Sequence, residues 1–227
     1  MTFRRLFDAV CALPGLLLLS PVFLLIALLI LWDDGAPVLF SQIRIGRKGR
    51  PFRIWKFRTM RVAAIGSSIT ASGDARITAT GAMLRRYKLD ELPQLFNVLK
   101  GDMSLVGPRP EVPEYVRFEM PMWQAVLSVT PGITDLASLL YRDEERLLGA
   151  PGDPDTLYRE HIQPAKLLLN LMYLRTRSFA SDLRLIWLSI RYALLPEGFD
   201  PDRIRKAFGI GVKNGGYLHS LPSAVDR

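Results

Sequence analysis

From Ala9 to Trp32 the chain runs for 24 residues without a charge. At ~1.5 Å per residue a continuous helix of that length reaches about 36 Å, against a bilayer core of about 30 Å. The run is therefore long enough to span. Ser20-Pro21 interrupts it in the middle, and Pro14-Gly15 lies shortly before. Pro21 lacks a helical N–H and crowds the carbonyl of Leu17, while the Ser20 hydroxyl can bond a freed carbonyl. The pattern predicts a helix–break–helix over residues 1–35. Two arrangements satisfy it: a single spanning helix, or a re-entrant pair that enters and leaves by one face. A cleavable signal peptide of ordinary form is excluded, because Trp32-Asp33-Asp34 stands where small residues are needed.

Alternation then replaces the apolar run. Val38-Leu39-Phe40 and Phe52-Arg53-Ile54-Trp55-Lys56-Phe57 predict two strands around a basic turn with Gly46 and Gly49. Residues 62–75 are rich in Gly, Ser and Ala and read as a surface loop. Thr80 to Tyr87 predicts a short helix with Thr80 as its N-cap. Leu92, Leu95, Phe96 and Leu99 recur at helical spacing, which predicts a helix opened by Asp90 and stopped at Gly101. Pro108-Arg109-Pro110 predicts an extended segment with Arg109 held between two rigid residues. Pro131-Gly132 reads as a turn, and residues 155–178 as helix interrupted near Pro164. Leu183, Ile186, Trp187, Ile190 and Leu194 form one helical stripe, able to pack on a core or to lie on a membrane surface. Residues 197–227 have little periodicity and read as a peripheral tail. The expected organisation is an anchor over 1–35, a catalytic domain over 36–196 and the tail.

Charge narrows the partners. The 227 residues include 30 Lys+Arg and 22 Asp+Glu, a net charge of +8. The isoelectric point is near 9.9 and the mean hydropathy +0.14. Such a chain favours anionic partners: phosphates, nucleic acid or an anionic membrane. One cysteine, Cys11, excludes an intrachain disulfide framework, and with two histidines it argues against a Cys/His zinc site. No acidic residue occurs between Gly35 and Gly73, where Arg44, Arg47, Lys48, Arg50, Arg53, Lys56, Arg58 and Arg61 accumulate. Arg4 and Arg5 precede the apolar run, so both flanks are basic, which fits a re-entrant pair on the cytoplasmic side. The basic stretch can serve an anionic lipid surface. It can also neutralise nucleic-acid phosphates, with Phe52, Trp55 and Phe57 as stacking candidates.

The Asp90-Glu91 pair is the candidate chemistry. Adjacent acids are commonly just solvated helix ends. Here Arg85, Arg86 and Lys88 lie upstream, so a carboxylate is expected to stay ionised with anions held nearby. An ionised Asp among cations can attack phosphorus. Its Glu neighbour suits acid/base work or Mg²⁺, a hard cation with oxygen ligands.

Arg5-Leu6-Phe7-Asp8, Ser20-Pro21, Phe40-Ser41-Gln42-Ile43-Arg44-Ile45-Gly46 and Lys56-Phe57-Arg58-Thr59-Met60 stand in order along the chain. They are followed by Leu89-Asp90-Glu91-Leu92-Pro93-Gln94, Asp102 to Pro110, Pro131-Gly132-Ile133-Thr134 and Arg177-Ser178-Phe179 with Asp182-Leu183. Over about residues 3 to 195 the chain resembles the small monotopic phosphoglycosyl transferases, the bacterial sugar transferase family. It departs at Thr134-Asp135-Leu136-Ala137-Ser138, where many members have Gly after the Thr and Gln near Ser138; this reads as a subgroup difference.

The resemblance implies a mixed α/β fold, mainly helical, with a re-entrant helix broken at Ser20-Pro21 and amphipathic helices at the interface. It implies transfer of a phosphosugar from a UDP-sugar to polyprenol phosphate, usually undecaprenyl phosphate, with release of UMP. It implies Asp90 as the covalent nucleophile with Glu91 as its partner, and Mg²⁺ as cofactor with the dyad as its ligands. By motif position, Lys56, Arg58, Arg85 and Arg109 are the expected phosphate contacts. The expected place is the cytoplasmic face of a bacterial inner membrane, with lipid but no nucleic acid as partner, and a homo-oligomer left open. Two other functions fit the residues alone: a non-catalytic anchored basic domain that binds nucleic acid or anionic lipid, and a phosphohydrolase of soluble substrates using the same Asp.

Overall fold

The computed structural model describes residues 3–62, 70, 73–149 and 151–210. Most of the expected 62–75 loop, and the tail beyond 210, lie outside these. The fold is mixed α/β and 61% helical.

The apolar run forms α1 (Phe3–Leu18) and α2 (Ser20–Asp34), bent by 58°. The break falls at Ser20-Pro21. Pro21 opens α2, and the Ser20 Oγ donates to the carbonyl of Leu17 at 2.8 Å. Pro14 sits inside α1 without ending it. No single helix among the described residues is long and apolar enough to cross a membrane; the bent pair passes only jointly, by length and composition.

The outer faces of both helices remain apolar and exposed, from Leu17 and Leu18 to Leu24, Leu28 and Trp32. Their inner faces are tied to the rest of the fold. Ala12 packs with Ile54, Val98 and Met103, and Ile26 and Ile30 pack with Phe57 and Leu84. The buried Asp8 carboxylate accepts the Leu105 N–H at 3.0 Å. Arg5 donates to the carbonyls of Val98 and Leu99, at the end of α4 (Gln94–Lys100).

Between α2 and α4 stand the antiparallel pair β1 (Leu39–Ile45) and β2 (Pro51–Phe57), with Ser41 opposite Trp55, and then α3 (Ala79–Arg86). The N-cap of α3 is Thr78, whose hydroxyl accepts from Gly81 N, and not Thr80. Thr80 instead donates its N–H to Asp33 Oδ2 at 2.8 Å.

The chain beyond α4 builds a second, parallel pair: β3 (Ser104–Val106) and β4 (Gly132–Thr134), with α5 (Pro121–Leu127) between them in sequence. Gly132 thus starts a strand where a turn was expected. The reason is proximity: a Cβ on Gly132 would stand 2.1 Å from the nitrogen of Gly107. Then come α6 (Leu136–Leu140), α7 (Glu144–Leu148), α8 (Pro154–Leu157), a π-helical turn (Tyr158–Ile162), α9 (Gln163–Thr176), α10 (Phe179–Leu194) and α11 (Pro201–Ala207). The expected interruption near Pro164 is this π turn. On α10 the buried face is Asp182, Leu185, Leu188 and Tyr192. Of the expected stripe, Leu183, Trp187, Ile190 and Leu194 are exposed, while Ile186 is half-buried and packs against the core. The tail is less peripheral than its pattern: Ile204 is buried and packs with Leu185, Tyr192, Phe199 and Phe208.

Candidate active site

The Asp90-Glu91 pair does not open the following helix. It lies in a separate 3-10 turn, Leu89–Glu91, and α4 begins after Pro93. The turn is closed by i→i−3 bonds, with Glu91 N donating to the Lys88 carbonyl and Leu92 N to the Leu89 carbonyl. Lys88 takes a left-handed conformation (φ 55°) at the entry to this turn. The conformation is uncommon for a residue with a Cβ. The dyad is thereby folded inward beneath β2 and α3, and Asp90 becomes one of the buried acids.

The two carboxylates have different surroundings. Glu91 receives the fork of Arg109: Nη1 donates to Oε2 at 2.9 Å and Nη2 to Oε1. Lys56 Nζ reaches Oε1 at 3.4 Å. Burial would raise the Glu91 carboxyl, but Arg109 and Lys56 outweigh it and hold the group well below the usual carboxylate range. Asp90 has no such fork, and its Oδ1 is buried without a hydrogen-bond partner. Burial first, and the Glu91 charge second, push its carboxyl up, while Lys56, Lys88 and Arg85 pull it down. The sequence argument placed Asp90 at a helix start among cations that favour its ionised form; burial shifts the group in the opposite direction.

The expected phosphate contacts separate into two groups. Lys56 and Arg109 stand at the dyad. Burial dominates at Lys56 and lowers its ammonium, against the pull of Glu91. Arg58 is buried elsewhere: it donates to the carbonyls of Asp34 (3.0 Å) and Gly35 (2.6 Å) and pairs with Asp34 Oδ2 at 3.3 Å. It therefore clamps the end of α2. Arg85 pairs with Glu145 and reaches Thr59 Oγ1 at 3.4 Å. Arg58 and Arg85 still line, with Lys56, Lys88, Arg109 and the dyad, one cleft of about 910 Å³.

Further polar residues stand in or beside that cleft. Arg44 points inward and donates to Glu111 Oε1 (3.2 Å) and Gln42 Oε1 (2.8 Å). The Tyr158 phenol donates to Glu111. Asp135 is fully buried and accepts from Arg109 N at 3.0 Å, Ser138 N at 2.8 Å and Ser138 Oγ at 2.7 Å. Asp135 lies in the stretch where the chain departs from its resemblance, which was the one available signal for it. These placements also bear on nucleic acid. Arg44, Lys56 and Arg58 are spent inside; of the three stacking candidates Phe57 is buried, Phe52 is half-buried and Trp55 is exposed.

Among the described residues no group of three or more His, Cys, Asp or Glu side chains could hold a metal ion. Asp90 Oδ1 can supply one oxygen ligand, and Glu91 can supply one only by releasing Arg109 or Lys56. That donor set fits Mg²⁺, which is commonly held by one or two carboxylates plus substrate phosphates.

The cleft sets cations around a buried acid pair, and Leu19, at the bend of the apolar helix pair, also lines it. The bacterial sugar transferase family model matches residues 1–195, and the chain belongs to that family. It is 36% identical over 195 residues to a UDP-glucose:undecaprenyl-phosphate glucose-1-phosphate transferase of Klebsiella pneumoniae, covering 84% of this chain and 40% of the relative. It is 34% identical over 198 residues to an uncharacterized sugar transferase of Bacillus subtilis, EpsL, covering 87% of this chain and 90% of the relative. A UDP-N-acetylgalactosamine-undecaprenyl-phosphate N-acetylgalactosaminephosphotransferase of Aeromonas hydrophila is 36% identical over 196 residues, covering 84% and 43%. The chain thus spans less than half of two of these three relatives.

Proposed function

We propose that this chain transfers a phosphosugar from a UDP-sugar to polyprenol phosphate, with release of UMP. The observation that carries the reading is the asymmetry of the dyad. Glu91 is neutralised by the Arg109 fork, while Asp90 keeps one buried carboxylate oxygen without a partner, in a cleft lined by cations. A free carboxylate oxygen in such a place is suited to attack phosphorus.

An oxygen of Asp90 attacks the phosphorus that bears the sugar. As that P–O bond forms, the P–O bond to UMP breaks, and UMP leaves with the electron pair. Lys56, Lys88 and Arg109 oppose the charge of the diphosphate, so that one anion can approach another. The same cations favour the ionised form of Asp90 against its burial. An oxygen of polyprenol phosphate then attacks the same phosphorus, and the acyl-phosphate bond breaks to restore Asp90. Glu91 holds Arg109 in register through both steps. Mg²⁺, bound to Asp90 and substrate phosphate, would supply further charge neutralisation.

The acceptor is a lipid, and the chain offers a lipid-facing surface. The exposed apolar residues of α1 and α2, and Trp187, Ile190 and Leu194 of α10, support a place at the cytoplasmic face of a membrane, with α1 and α2 as a re-entrant pair. Relatives named for undecaprenyl phosphate support the same acceptor.

The test is covalent capture. Enzyme and radiolabelled UDP-sugar are incubated with Mg²⁺ and without acceptor, and labelled peptides are isolated. The label is expected within residues 88–94, and Asp90→Asn is expected to lose both label and UMP release. Label elsewhere, or label retained by Asp90→Asn, overturns the reading.

A further inference from the structure

Part of the cleft wall takes no part in the mechanism above. It is built by the end of α6 and by one face of α9. Tyr141 and Asn170 both line the cleft and are both only 7% exposed. The Tyr141 hydroxyl and the Asn170 Oδ1 are buried without a hydrogen-bond partner. Native proteins leave few such atoms unpaired, and two on one cleft wall ask for a reason.

Their surroundings join them to the dyad. Lys166 stands one helical turn before Asn170 and pairs with Glu144 at 2.6 Å. Its Nζ also lies 5.6 Å from the centre of the Tyr158 ring. Tyr158 bonds Glu111, Glu111 bonds Arg44, and all of these line the same cleft as Arg109. These polar groups and the two residues with unpartnered atoms line one cleft with Arg109.

We propose that Tyr141 and Asn170 form the subsite for hydroxyl groups of the donor's sugar ring. The inference rests on the phosphosugar-transfer reading. Tyr141 donates and Asn170 Oδ1 accepts, and a sugar diol offers the complementary oxygen and proton. Burial and the nearby Glu144 push the Tyr141 phenol up to about 12, so it keeps its proton at neutral pH. Uracil offers a similar donor and acceptor, but the Tyr141 and Tyr158 rings belong to a core cluster, and the Lys166 ammonium already lies over the Tyr158 ring. The sugar is the better occupant on that ground.

The experiment compares a UDP-sugar panel with UDP, on the full chain in detergent, for wild type, Tyr141→Phe, Asn170→Leu and the near-isosteric Asn170→Asp. Affinity and kcat/KM are read together. Tyr141→Phe and Asn170→Leu are each expected to lose about 10-fold in affinity for the preferred UDP-sugar, to keep their affinity for UDP, and to discriminate sugar epimers less, while Asn170→Asp, which keeps an accepting oxygen, is expected to lose less than Asn170→Leu. Equal losses for UDP and UDP-sugar would assign the wall to the nucleotide and overturn the proposal. Unchanged affinities and unchanged epimer preference in all variants would overturn it too. A wild type that prefers one UDP-sugar over UDP in binding, yet releases no UMP with polyprenol phosphate, would sink the transfer reading while leaving the subsite standing.

Discussion

The backbone N–H of Arg109 donates to Oδ2 of Asp135 at 3.0 Å, and the guanidinium of the same residue grips Glu91. Arg109 is thus fixed at both ends. Asp135 also caps α6 by accepting from Ser138 N. A single buried carboxylate therefore joins the start of α6 to the segment that neutralises Glu91. Asp135→Ala is expected to cost about 1–2 kcal/mol of stability, as lost helix caps do, and to lower UMP release further than that loss explains. Denaturant midpoints and initial rates check it. Wild-type rates in a destabilised Asp135→Ala would deny Asp135 a positioning role.

Arg109 acts through geometry as well as charge. Its two nitrogens meet the two oxygens of Glu91. Lysine keeps the charge but has no fork. Arg109→Lys should reduce turnover by about 10²-fold, the scale of losing one preorganised donor, and nearly as much as Arg109→Ala. A Lys variant close to wild type would show that charge alone suffices.

The two parallel strands depend on backbone approach. A Cβ on Gly132 would meet Gly107 N at 2.1 Å and Gly107 O at 2.5 Å, both backbone atoms. Gly132→Ala should destabilise the fold by about 3 kcal/mol. Gly198→Ala, where nothing lies within 4 Å, should change stability by less than about 0.5 kcal/mol. Thermal unfolding of the pair gives the comparison, and equal midpoints would contradict it.

The proposed re-entrant arrangement puts both ends of the bent pair on one side. In a Cys11→Ala background, single cysteines replacing the exposed Phe3 and Lys48 should both resist an impermeant thiol reagent in intact cells. Both should react with a permeant one. Reaction of position 3 from the periplasm would instead indicate a spanning form. Replacing the exposed Arg47 and Lys48 with Gln should weaken binding to anionic vesicles most at low salt, the difference from wild type shrinking as salt rises.

Some of this protein was legible one segment at a time. The break at Ser20-Pro21, the β1–β2 hairpin and the stop of α4 at Gly101 follow from local rules: a missing N–H, alternation, and a glycine at φ 97°. The Asp90-Glu91 pair stood out because acids next to Arg85, Arg86 and Lys88 form a local pattern. Local rules also misled. Helical spacing from Leu92 to Leu99 extended the helix back to Asp90, whereas the left-handed Lys88 and the i→i−3 bonds that follow it set the dyad in its own turn.

What tertiary structure alone decided is who pairs with whom. In the sequence Lys56, Arg58, Arg85 and Arg109 are four similar cations. Once folded, two stand at the dyad, one clamps the end of α2 and one pairs with Glu145. Asp90 is shifted upward because burial, a property of the whole packing, outweighs the cations that sequence places beside it. Tyr141 and Asn170 line the cleft, and Asp135 holds the Arg109 N–H, from α6, its N-cap and α9, which follow the dyad by 40 residues and more. Hydrophobic periodicity reports which face of an element is apolar; it carries no information on which distant polar atoms that face brings together.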